Sequence, residues 1–207
     1  MSEKQLIRIS KFLSVAFTPF NAPLWAFIGM FLFSYLKLLP WNYKLFILCM
    51  VWVFTVFIPR MSINVFRVIN KWTHWQLSHR EHRHMPYVLT LVSYSICLAV
   101  MTSMNVPAFI RGVIIASLVA QVICVVVNYW WKISTHMVGM GGMLGVLVSM
   151  SYLFYFNPAI SVCMLLLLSG LVGTARIILR QHTPAQLLAG YAIGFFCSMY
   201  FVLASWL

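Results

Sequence analysis

The chain has 207 residues, 63% hydrophobic and 8% charged, with 14 Lys and Arg against 2 acids for a formal net charge of +12. A soluble domain is roughly a quarter charged, so that class is excluded. The two acids are Glu3 and Glu81, and aspartate is absent. Mg²⁺ and Ca²⁺ are held mainly by carboxylate oxygens, which excludes a two-metal hydrolase or an aspartate-rich phosphotransferase. The surplus of cations suits anionic lipid head groups. The basic residues are scattered between apolar runs, so nucleic acid is a poor partner.

In chain order, residues 3–17 read as a basic interfacial helix. Lys4, Arg8 and Lys11 share one face, and Ile9, Phe12, Leu13 and Ala16 another. No cleaved signal peptide is expected, because the charges run too far in. Apolar segments follow at about 21–39, 43–59, 86–105, 108–130, 137–156, 158–175 and 185–207. Runs of about 20 residues cross a bilayer core of about 30 Å as helices. The expectation is an all-α integral membrane protein, a single domain over 1–207 with six to seven transmembrane helices and short loops. Residues 61–77 read as a second interfacial helix, with Val65, Ile69, Trp72 and Trp75 opposite Arg67, Asn70, Lys71 and His74. Gly141 and Gly145, and Gly190 and Gly194, stand four apart and predict close helix contacts. Cys49, Cys97, Cys124, Cys163 and Cys197 lie singly in apolar runs and read as packing residues.

Counting crossings puts residues 60–85, 131–136 and 176–184 on one membrane side together with residues 3–17. That side carries most of the cations, which the positive-inside rule assigns to the cytoplasm. The first of these segments is Ser78-His79-Arg80-Glu81-His82-Arg83-His84-Met85-Pro86, where Pro86 suits a first helical position. The second is Lys132-Ile133-Ser134-Thr135-His136, where Ser134 or Thr135 suits a helix N-cap. The third runs from Ala175-Arg176 to His182-Thr183-Pro184-Ala185-Gln186, and its last four residues spell a capping box. Helix N-termini and arginines bind phosphate oxygens. One histidine can attack phosphorus while another protonates the leaving oxygen. The residues therefore predict a phosphate-ester site at a membrane surface, built from side chains alone and needing no cofactor.

These motifs resemble the type-2 phosphatidic acid phosphatase superfamily of membrane lipid phosphatases. Its pattern has a basic first motif ending in Arg-Pro, then Pro-Ser-Gly-His, then Ser-Arg-x5-His-x3-Asp. Ser134-Thr135-His136 is similar to the second, and Ala175-Arg176-x5-His182-x3-Gln186 to the third. The resemblance covers about residues 80–200. It implies hydrolysis of a phosphomonoester or pyrophosphate of a membrane lipid through a phosphohistidine at His182, with His136 as general acid and no metal. It also implies that Ser134, Arg176 and one or both of Arg80 and Arg83 hold the phosphate; the position and charge of Lys132 add it to that set. Gln186 stands where the family has an aspartate that orients the nucleophile. Glu81 is the remaining loop carboxylate available for an orienting role. Two other readings stay open. One is a binder or transporter of phosphorylated lipids on the same scaffold. The other is a transition-metal site at His79, His82 and His84. The isolated cysteines fit a bacterial inner membrane; substrate and oligomeric state are not written in the sequence.

Overall fold

The computed structural model describes residues 3–70 and 84–206. Every regular element among them is helical: α1 Glu3–Ala16, α2 Ala22–Phe33, α3 Trp41–Trp52, α4 Ile58–Ile69, α5 His84–Ser103, α6 Ala108–Trp130, α7 Thr135–Phe154, α8 Ala159–Ile178 and α9 Pro184–Ala204. A π-turn over Val53–Phe57 joins α3 and α4 into one continuous helix. Six helices are long and apolar enough to cross a bilayer: Trp41–Ile69, Pro86–Ser103, Ala108–Trp130, Thr135–Phe154, Ala159–Ile178 and Pro184–Ala204. The protein is thus a multi-pass helical membrane bundle. Large apolar side chains such as Leu38, Leu167, Leu188 and Phe196 are exposed on it, as a lipid-facing surface requires.

Proline and left-handed residues punctuate the helices. Pro40, Pro107 and Pro158 occupy the N-caps of α3, α6 and α8, where the missing N–H is no loss. Tyr155 ends α7 with φ 50°, and Arg180 follows α8 with φ 52°. At α8 the Gln181 N–H donates to Arg176 O and the Arg180 N–H to Ile177 O, the paired bonds of a Schellman turn. This turn reverses the chain between Arg176 and His182 at the cost of a strained, non-glycine Arg180.

Contacts identify two ends of the bundle. At one end Arg60 Nη2 donates to Thr18 Oγ1 and Asn21 Oδ1, Asn128 Nδ2 to the Tyr87 hydroxyl, and the Ser134 N–H to Gln186 O. At the far end Tyr35 meets Phe156, and Phe154 packs on Phe109 and Trp206. Residues 131–134, 179–183 and the end of α1 therefore share one end, as the count of crossings predicted. The first apolar segment also runs end to end. Ala22 abuts Gly139, and Tyr35 reaches Phe156. Its helix is only 12 residues long, and a 3₁₀ turn over Tyr35–Leu38 completes the distance.

Three local expectations are corrected. Residues 61–69 do not start a separate interfacial helix; they continue the preceding span, because the π-turn at Val53–Phe57 absorbs an extra residue without breaking the helix. Residues 71–77 of that expected helix lie outside the described residues. Pro86 is not the first residue of its helix, because α5 begins at His84; within the first turn its missing donor costs nothing. In α1 the apolar Ile9, Phe12 and Val15 are exposed, and the buried stripe is Ser10 and Ser14 against α8. Small side chains there let α1 approach closely.

The closest packing joins α7 to α9. A methyl group added at Gly145 would lie 2.5 Å from Phe195 O, and one at Gly190 would lie 2.6 Å from Ser134 O. Gly141 and Gly194 face Tyr191 O and Val138 O still more closely. The two predicted glycine pairs thus form a backbone-to-backbone seam. It sets Ser134 and His136 of one helix beside His182 and Gln186 of the other.

Candidate functional site

The third segment forms as its residues dictate. Thr183 Oγ1 accepts from the Gln186 N–H at 3.5 Å, and Gln186 Oε1 accepts from the Thr183 N–H at 3.2 Å. That second bond identifies the amide atom, because a backbone N–H can only donate. The same Oε1 meets His182 Nδ1 at 3.2 Å, so Nδ1 carries the proton. In the neutral ring the lone pair then belongs to Nε2. Gln186 both caps α9 and selects the tautomer of His182.

The second segment is tied down by Asn128, whose Oδ1 accepts from the Ile133 N–H at 3.0 Å. Ser134 takes the N-cap position of α7 but makes no capping hydrogen bond. This corrects the expected cap. The first N–H groups of α7 receive no side-chain acceptor from Ser134. Its hydroxyl is fully buried and has no partner among the described residues.

His136 points toward α1 and α8. Its Nε2 lies 3.1 Å from Ser14 O; a carbonyl only accepts, so this nitrogen carries a proton. Arg176, 9% exposed, donates from Nη1 to Ser14 Oγ at 3.3 Å. Its Nε is buried and has no partner among the described residues. Arg176 and His182 both lie near enough to His136 to act on its charge.

A cavity of about 350 Å³ opens at this end. His182, Lys132, Thr135, Asn128 and Tyr87 line its outer part, and α2, α5, α6, α7 and α9 form its wall. The structure thus brings together Ser134, His136, Arg176, His182 and Gln186, with Lys132 at the cavity. It splits them in one respect: His182 and Lys132 face the cavity, whereas His136 and Arg176 sit behind it against Ser14. Arg80, Arg83 and Glu81, with His79 and His82, lie outside the described residues, as does the side chain of His84.

Sequence reading missed Ser14 and Asn128. The signal available for Ser14 was a small residue four after Ser10 in a helix otherwise basic and apolar. Asn128 had none, because Asn128-Tyr129-Trp130-Trp131 reads equally well as an interfacial anchor. Replacing Ser14 with alanine is expected to cost about 1–3 kcal/mol, the range for a hydrogen bond to a charged group and a donor left buried. Thermal unfolding of purified protein measures it, and an unchanged midpoint would remove Ser14 from the site.

Comparison with known protein families, with curated proteins and with solved structures returns no match to this chain.

Proposed function

We propose that the chain is a membrane lipid phosphatase acting through a phosphohistidine on His182. This is the activity implied by resemblance to the type-2 phosphatidic acid phosphatases. The observation that carries the reading is the orientation of His182: Gln186 holds Nδ1–H, which commits the lone pair to Nε2 on a ring that lines the cavity. Buried donors without partners stand close by, at Ser134 Oγ and Arg176 Nε, and each suits a phosphate oxygen.

In this reaction Nε2 of His182 forms a bond to phosphorus as the ester P–O bond breaks. His136 gives its proton to the leaving oxygen. Water then attacks phosphorus, the P–N bond breaks, and His136 takes a proton from that water. Arg176, Ser134, Lys132 and the α7 N-terminus stabilise charge on the phosphoryl oxygens. Arg80, Arg83 and Glu81 keep the roles expected from the sequence, as does location in a bacterial inner membrane.

The test is phosphate release in the presence of chelator. The substrates are phosphatidic acid, lysophosphatidic acid, phosphatidylglycerophosphate, lipid A and isoprenyl pyrophosphates. Release from at least one is expected, with loss of at least about 10³-fold in His182→Ala, as for a removed nucleophile. No release from any, or equal release by the variant, overturns the reading.

One pair of observations favours a second reading, head-group binding without turnover. Gln186 is neutral, and Ser14 already engages both His136 and Arg176. Tight retention of phosphorylated lipid with no phosphate released, unaltered by His182→Ala, would establish it.

A further inference from the structure

The cavity beside His182 has a length, a volume and a polar step that together describe a ligand. Its mouth is taken as the phosphate site of the function proposed above, and the ligand assignment rests on that reading. From Thr135 to Val146 the wall follows α7 for eleven residues, a depth of about 16 Å at about 1.5 Å per residue. An extended chain advances about 1.2 Å per bond, so this depth takes roughly 13 bonds. The volume of about 350 Å³ holds about a dozen groups of water size, at about 30 Å³ each, and a methylene is of similar size. Length and volume therefore agree on one unbranched chain. Two chains side by side would need twice the space.

The wall suits such a chain. Gly139, Gly142 and Gly194 expose bare backbone, and Ala116 and Ala120 add only methyl groups. Val113, Met143 and Val146 close the apolar depth.

Partway down, two polar groups interrupt this wall. Tyr94 of α5 is 1% exposed, and its hydroxyl lies near the side chain of Gln121 on α6. Neither that hydroxyl nor Gln121 Oε1 completes a hydrogen bond with any described residue. Both residues line the cavity, about 10 Å below Tyr87 and Asn128 by helix rise. Buried polar groups without partners are costly, and a ligand oxygen at that depth would satisfy them. Tyr94 has a proton to donate, which a carbonyl accepts. Gln121 Oε1 accepts, which a hydroxyl satisfies.

We propose that the cavity binds a single-chain phosphorylated lipid of the lysophosphatidate type. Its phosphate lies at the His182 end, its ester carbonyl and free hydroxyl lie at Tyr94 and Gln121, and its hydrocarbon runs to Val113 and Val146. A lipid with two chains of that length does not fit. An alkyl-ether analogue loses the contact to Tyr94.

The test is equilibrium binding of radiolabelled dodecanoyl lysophosphatidate to the full chain in nanodiscs of neutral phospholipid. Unlabelled dodecanoyl lysophosphatidate, its alkyl-ether analogue, didodecanoyl phosphatidate and inorganic phosphate serve as competitors. The single-chain ester is expected to compete at least tenfold better than the two-chain lipid. Ala120→Phe, which fills the cavity away from His182, should weaken lipid binding at least tenfold and leave competition by inorganic phosphate at wild-type level in a direct phosphate-binding assay. Tyr94→Phe should weaken the ester about 2- to 10-fold and the ether not at all. Val113→Phe, at the depth of the cavity, should shift preference toward octanoyl chains, which keeps the proposal testable if Ala120→Phe does not fold. Phosphate binding with equal affinity for one-chain and two-chain lipids overturns the cavity assignment alone. Failure to bind either phosphate or lipid overturns the phosphate site and the cavity assignment together.

Discussion

Exchanging Gln186 for glutamate is expected to raise the rate of phosphate release by about 10²- to 10⁴-fold, by analogy with the loss of about 10⁴ when a triad aspartate becomes an amide. The substitution keeps the length of the side chain. A carboxylate oxygen still accepts from the Thr183 N–H and from His182 Nδ1–H, the two bonds that Gln186 Oε1 accepts. Glutamate is also a standard partner in a capping box, so α9 keeps its start. What changes is charge: a carboxylate stabilises the imidazolium character that His182 gains as it bonds to phosphorus, and an amide does not. The measurement is kcat on the best substrate, with Gln186→Leu as control. The leucine variant loses both orientation and cap and should fall below wild type. A glutamate variant no faster than wild type would mean that His182 develops no positive charge in the rate-limiting step, and would remove it as nucleophile.

The second large effect concerns the α7–α9 seam. Gly194→Ala is expected to destabilise by about 1–3 kcal/mol, the range for overpacking a close contact, and to lower activity with it. A methyl group there meets Val138 O and, at 2.8 Å, the Gly142 N atom. These are backbone atoms, so no rotamer change relieves the clash and the two helices must part. Their separation would carry Ser134 and His136 away from His182, because the Ser134 N–H donates to Gln186 O across the same seam. Gly170→Ala is the internal comparison. Nothing lies within 4 Å of its added methyl, and alanine favours a helix over glycine by up to about 1 kcal/mol. Thermal unfolding of both variants should therefore move in opposite directions. A neutral Gly194→Ala would show that backbone contact at this point does not hold the site together.

Both effects trace to features legible in the amino-acid sequence. The capping box at Thr183-Pro184-Ala185-Gln186 is a local pattern that forms as it reads, and the two glycine pairs mark the seam where they face it. The end shared by α1, residues 131–134 and residues 179–183 follows from counting spans. Ser134 shows where such reading stops. A serine before a helix predicts a cap, yet its hydroxyl is buried without a partner among the described residues, because Gln186 O and Gly190 draw the Ser134 backbone against α9.

Hydropathy, capping and small-residue spacing are properties of neighbouring residues. The sequence by itself therefore determined the helical class, the places where spans start, and the membrane end on which the histidines meet. Only the tertiary structure decided that His182 faces the cavity while His136 turns to Ser14, a residue 122 positions away. Only it revealed Asn128 as an anchor and the polar step of Tyr94 and Gln121 inside the bundle. The physical reason lies in the solvent. In water an apolar stripe shows which face of a helix turns inward. In lipid the outward face is as apolar as the inward one, so the rotation of each helix about its axis is set by contacts between helices distant in sequence.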